Sequence, residues 1–77
     1  MKRLDGKTHL IYCEDTDRWL MKRETETFPM HCGEPLSVWI DGEYVEGRLE
    51  LDRDWYVVFS DTRFTLHKQT RYYVLPY

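Results

Sequence analysis

An all-β fold is predicted by three features of this 77-residue sequence. Apolar and polar residues alternate on both sides of Asp41-Gly42, and both residues of a two-residue hairpin turn must tolerate positive φ. A third alternating segment follows the polar turn at residues 52–54, so residues 36–59 predict an antiparallel meander. Short apolar segments then recur at intervals of about 8–12 residues, which is typical of a β-sandwich or barrel.

Further strands are expected on both sides of the meander. They are predicted at residues 7–13, 18–23, 63–67 and 71–75. Two prolines and a glycine within residues 28–35 exclude a long helix or a central strand there. We therefore expect one domain over residues 1–77, with five to seven short antiparallel strands and no helix longer than a turn.

A two-residue turn at Asp41-Gly42 fixes the register of the hairpin. It sets Trp39 opposite Tyr44 and Val38 opposite Val45, and side chains then alternate between the two faces. The predicted core face carries Leu36, Val38, Val45, Gly47, Leu49 and Leu51. The opposite face carries Trp39, Tyr44, Glu46, Arg48 and Glu50. Together with the third strand, the set expected to be buried is Val38, Val45, Leu49, Val57 and Phe59.

Composition limits the classes of partner. The net charge is −3 with both signs interspersed, so no electrostatic footprint for nucleic acid or an anionic membrane is visible. The longest apolar run is Trp55–Phe59, far short of a membrane-spanning segment, and the basic start of the chain lacks the apolar region of a signal peptide. We expect a cytoplasmic protein with no membrane partner.

Four short motifs carry a family resemblance. They are His31-Cys32-Gly33-Glu34, Asp41-Gly42, Arg48-Leu49-Glu50 and Asp54-Trp55-Tyr56. In this order they resemble the family of short bacterial proteins named domain of unknown function 5348, over about residues 6–75. The resemblance implies a small SH3-like barrel, usually from Gram-positive bacteria and often near mobile elements. It brings no catalytic residue to carry over.

The sulfur and imidazole side chains do not predict a chemical site. Structural zinc needs about four N or S ligands, and a catalytic cysteine needs a base and an orienting group. His31-Cys32 stands apart in sequence from Cys13, His9 and His67. We expect Cys13 and Cys32 to be free, buried, small apolar residues. The prediction is therefore no metal, no cofactor, no catalytic residue and no enzyme.

The aromatic residues are the better argument for binding. They make up 16% of the chain, more than the inward positions of so small a barrel readily hold. Trp39, Tyr44, Glu46 and Arg48 are the candidate binding residues, because Trp, Tyr and Arg are enriched where proteins associate. Tyr73 and Tyr77 are also expected away from the core. The alternative is that residues 28–35 fold over this face and make it a second small core.

Function follows as an expectation from this aromatic face. We expect a non-enzymatic protein-binding or accessory module, with a protein partner or a second copy of the chain. The rival is a nucleic-acid-associated regulator, or a mobile-element-encoded inhibitor of a nucleic-acid-handling enzyme. Single-strand binders combine stacking aromatics with a positive groove, whereas acidic residues here lie between the basic ones. Nucleic acid is therefore the second-ranked partner.

Overall fold

Eight short strands make up the part of the domain that the structure describes. The computed structural model describes residues 7–60 and 62–76. In chain order the strands are β1 (Thr8–Cys13), β2 (Arg18–Arg23), β3 (Glu26–Pro29), β4 (Pro35–Ile40), β5 (Glu43–Leu51), β6 (Trp55–Phe59), β7 (Thr62–Thr65) and β8 (Tyr72–Leu75). The described residues contain no helix, hence none that is long and apolar enough to cross a membrane. The all-β prediction is confirmed.

The meander has the predicted strands and register. Trp39 lies opposite Tyr44 and Val38 opposite Val45, and β6 pairs antiparallel with β5. Asp41 and Gly42 have φ values of 50° and 85°. These positive values at both turn positions are those that a two-residue type I′ hairpin requires, which is why the Asp-Gly signal was sufficient to fix the register.

All eight strands belong to one antiparallel sheet in the order β3-β2-β1-β8-β4-β5-β6-β7. β8 joins the two halves, because it pairs with β1 on one side and β4 on the other. The edge strands β3 and β7 are not hydrogen-bonded to each other, so the sheet is curled but not closed. The predicted SH3-like barrel is thus a curled sheet that is not closed into a barrel, and the predicted count of five to seven strands is corrected to eight among the described residues. The missed strand is β3, a four-residue edge strand that ends at Pro29.

The core fills the concave side of the curled sheet. Its buried members are Leu10, Trp19, Met21, Met30, Leu36, Val38, Leu49, Trp55, Val57, Leu66 and Val74. Of the set expected to be buried, Val38, Leu49 and Val57 are confirmed, whereas Val45 and Phe59 are half-buried. Leu51, the last residue of β5, was expected on the core face but is 44% exposed.

Candidate functional site

The predicted binding residues all lie on the convex side of the sheet, which we call the outer face. Alternation along β4 and β5 sends Leu36, Val38 and Leu49 inward. The intervening positions therefore face outward, and they include all four candidates: Trp39, Tyr44, Glu46 and Arg48. None of the four belongs to the core cluster. The inward and outward positions of the hairpin are therefore those that the sequence predicted.

Trp39 and Tyr44 form an edge-to-face pair beside the hairpin turn. Their ring centroids are 5.0 Å apart and the ring planes meet at 69°. Both side chains are half-buried. Edge-to-face contact contributes about 0.5–1.5 kcal/mol beyond area burial, so each ring holds the other in place while leaving part of its surface in water. The pair is a rigid, partly apolar platform.

Tyr73 lies on the outer face of β8, the strand beside β4. The ladder between these two strands has two pairs, Ser37 with Leu75 and Val38 with Val74, and Tyr73 precedes Val74. Tyr73 is 39% exposed. Its outward position was predicted, but its place on a strand beside β4 was not, because the pairing of β4 with the distant β8 leaves no local signal in the sequence. Tyr77, the other tyrosine assigned to this side, lies outside the described residues.

Charged residues occupy the other end of the outer face. The Nε atom of Arg48 lies 3.6 Å from Oε2 of Glu50, and the Arg48 side chain is 60% exposed. Arg48 is four positions after Tyr44 along β5, a distance of about 13 Å in a strand. Arg48 therefore pairs with Glu50 rather than with the Trp39–Tyr44 pair, and charged groups are concentrated at this end of the outer face.

Two residues of this face were not among the predicted candidates. Arg63 lies opposite Val58, which in turn lies opposite Arg48. The guanidinium carbon of Arg63 stands 3.7 Å from the centroid of the Tyr56 ring, a cation–π contact. The pairing of β6 with β7 adds Tyr56 and Arg63 to the surface. A period-two reading of residues 62–65 would have found Arg63 on this side.

Residues 28–35 do not build a second core with the aromatic pair. Met30 of this segment is buried within the inner core. Gly33 donates its backbone N–H to the Leu49 carbonyl, and Leu49 donates its own to the Glu34 carbonyl. Arg18 donates from its guanidinium to the Met30 carbonyl at 2.9 Å. These bonds attach the segment to β2 and to β5.

The cysteines are free, but they are not buried as expected. Cys32 is exposed because it stands in the turn that Gly33 makes with a φ of 88°. Cys13 is half-buried at the end of β1. Hydrogen bonds from the hydroxyl and backbone of Thr16 lower the pKa of the Cys13 thiol. Within residues 7–60 and 62–76, no three His, Cys, Asp or Glu side chains are grouped so as to hold a metal ion.

The comparison with protein families gives one match. The family model described as domain of unknown function (DUF5348) matches residues 8–74, which is nearly the whole chain. The match runs from the first residue of β1 into β8, so it includes the outer face and the inner core alike. Neither the curated proteins nor the solved structures include a similar protein. The chain belongs to the DUF5348 family.

Proposed function

We propose that this domain is a non-enzymatic protein-binding module whose outer face docks a partner protein. The observation that carries the proposal is the Trp39–Tyr44 platform, partly exposed beside the hairpin, with the exposed Tyr73 on the neighbouring strand β8. Partly exposed aromatic rings lower solubility, and burial against a partner removes them from water. Rigid aromatic rings also lose little conformational entropy when they bind, which suits them to anchor an interface.

The charges of the outer face support a protein rather than a nucleic acid as the partner. Arg48 and Arg63 are balanced by Glu46 and Glu50, which occupy the same side of β5. A phosphate backbone would meet two carboxylates as it approached the arginines. A protein surface carries both signs of charge and can complement this pattern, so that the ionic end fixes orientation while the aromatic end supplies affinity.

A pull-down from the host with tagged variants tests the proposal. Trp39→Ala and Arg48→Ala should each reduce recovery of the partner without lowering the melting temperature by more than a few degrees. Leu51→Ala and Arg53→Ala are the matched controls, because they truncate an exposed apolar residue and an exposed arginine elsewhere. Equal recovery with all four variants would contradict the proposal.

A salt titration against generic DNA and RNA tests the rival function. Binding driven by phosphate contacts weakens steeply as salt rises, and the slope reports the number of contacts. We expect no measurable affinity at physiological salt. Tight, salt-sensitive binding that Arg48→Ala or Arg63→Ala weakens would instead support the nucleic-acid-associated regulator.

A further inference from the structure

The open side of the curled sheet carries a groove of about 630 Å³. Its lining includes Met21, Phe28, Met30, Glu34, Pro35 and Pro76. The groove lies on the concave side of the sheet, because Phe28 pairs with Met21, and Met21 pairs with the buried Leu10. It is therefore separate from the outer face.

The floor of the groove is one end of the hydrophobic core. Met21 and Met30 are nearly inaccessible, whereas Phe28 is 50% exposed. Phe28 is on the edge strand β3, which among the described residues pairs with β2 alone. Leu10, Met21 and Phe28 are cross-strand neighbours on the same side of the sheet. An apolar side chain placed beside Phe28 would extend this series by one residue.

The backbone of β3 offers hydrogen bonds at the same place. Met30 donates its N–H to the Trp19 carbonyl at 2.9 Å, and hydrogen-bonded pairs alternate with non-bonded pairs along an antiparallel ladder. The next bonded pair is therefore Met21 with Phe28. Thr27, the residue before Phe28, belongs to a non-bonded pair, so its N–H and its C=O both point away from β2. Pro29 lacks an N–H, so Thr27 is the residue that can exchange two bonds with an added strand.

The charges around the groove favour a positively charged partner. Three carboxylates, those of Glu24, Glu26 and Glu34, line it against the single guanidinium of Arg23. Glu26 lies on the same side of β3 as Phe28, two residues before it. A strand added antiparallel to β3 would therefore place one residue opposite Phe28 and, two residues later, another opposite Glu26.

We propose that β3 and this groove bind an extended segment of a partner protein that carries a bulky apolar residue, any residue, and then lysine or arginine. The apolar side chain fills the groove beside Phe28, the middle residue exchanges two backbone bonds with Thr27, and the cation faces Glu26. The mode is strand addition to a sheet edge, in which backbone bonds give affinity and alternate side chains give specificity. It uses the face opposite to the aromatic platform and does not depend on the function proposed above.

Two synthetic peptides test this site on the full chain by NMR titration. The first is Thr-Thr-Leu-Thr-Lys-Thr-Thr, and the second replaces its lysine with glutamate. The lysine peptide should shift the amide signals of residues 26–28 and bind about two- to fivefold more tightly than the glutamate peptide, as one surface ion pair allows. Glu26→Lys should reverse that preference. Asp52→Lys, which changes net charge equally at a distant turn, should preserve it.

Backbone and groove are tested separately. Thr27→Pro removes the outward N–H but none that β2 uses, and it should weaken binding by about two- to tenfold, whereas Thr27→Val should not. Phe28→Ala should weaken it by about tenfold through lost apolar contact. Equal affinity for the two peptides, no binding of either, or shifts confined to the outer face would overturn the proposal. Concentration-dependent dimerisation that Glu26→Lys abolishes would overturn it in favour of a second copy of the chain.

Discussion

The ring of Phe64 on β7 lies across that of Tyr72 on β8, with centroids 5.8 Å apart and planes at 88°. In the hydrogen-bonded order of the sheet, three strands separate β7 from β8. The two rings therefore meet across the concave side. They can do so because the sheet curls far enough to bring β7 close to β8. The ring of Tyr72 also lies 5.9 Å from that of Trp19 on β2, so one tyrosine connects both halves of the sheet.

Tyr72→Phe should show how much the hydroxyl group of this residue contributes to stability, apart from the contribution of its ring. The Tyr72 hydroxyl accepts the backbone N–H of His67 at 2.9 Å, while the ring makes the contacts with Trp19 and Phe64. Losing the hydrogen bond should lower the free energy of unfolding by about 0.5–1.5 kcal/mol. Tyr72→Ala should cost considerably more, because it also removes the ring. Urea unfolding of both variants checks this, and equal losses would mean that the ring contacts contribute little.

Leu49→Ala should lower the free energy of unfolding by about 2–5 kcal/mol, because Leu49 is fully buried and its truncation leaves a cavity. Leu51→Ala, two residues along the same strand, should stay within about 0.5 kcal/mol of wild type. Thermal and urea unfolding measure both. Similar losses from the two variants would show that the end of β5 is covered in solution.

Gly47→Ala should destabilise the fold through steric crowding rather than through an unfavourable φ value. A Cβ at this position would meet the Val58 carbonyl oxygen at 2.7 Å and Cδ1 of Phe59 at 2.8 Å. The carbonyl belongs to the backbone of β6 and cannot rotate away, so we expect a cost of about 1–3 kcal/mol. Glu46→Ala, the exposed neighbour, is the control in the same unfolding experiment. A stabilised Gly47→Ala variant would mean that β5 and β6 lie further apart.

These sites show how much the sequence predicted. The hairpin at Asp41-Gly42 and the placement of Trp39 and Tyr44 follow from turn chemistry and alternation, which are local. β3 was missed because residues 26–29 are few, end in proline and become a strand only by pairing with β2. The groove was missed for a related reason, since it depends on how far the sheet curls. The curl depends on contacts such as that of Phe64 with Tyr72, whose strands are not neighbours in the sheet.

His9 should make stability fall as the pH drops. Partial burial, with the positive charges of Arg71 and Lys22, lowers the pKa of His9 below its usual 6.5 in the folded chain. Between that lowered pKa and 6.5 the unfolded chain binds more protons, so the free energy of unfolding increases with pH across this window. His9→Gln should flatten that dependence, as urea unfolding at several pH values would show. An unchanged slope would assign the dependence to other groups.

The two thiols should differ in what controls their reactivity. Cys32 is exposed, so it should react with a disulfide reagent in the folded protein without prior unfolding. The reactivity of Cys13 should depend on Thr16, whose hydrogen bonds lower the pKa of its thiol. Thr16→Val should therefore slow the reaction of Cys13 near neutral pH, because the thiolate is the reactive form. Mass spectrometry of the modified protein distinguishes the sites, and an unaltered rate for Cys13 would contradict this assignment.

Site-specific photo-crosslinking in host cells tests the proposed outer-face interface most directly. Tyr44→benzoylphenylalanine places a reactive ring on the aromatic platform, and Leu51→benzoylphenylalanine places one at an exposed site elsewhere. We predict a defined protein adduct from position 44 that excess unlabelled wild-type protein competes away and that Arg48→Ala diminishes, with no such adduct from position 51. Adducts of equal yield from both positions, or a nucleic-acid adduct from position 44, would contradict the account.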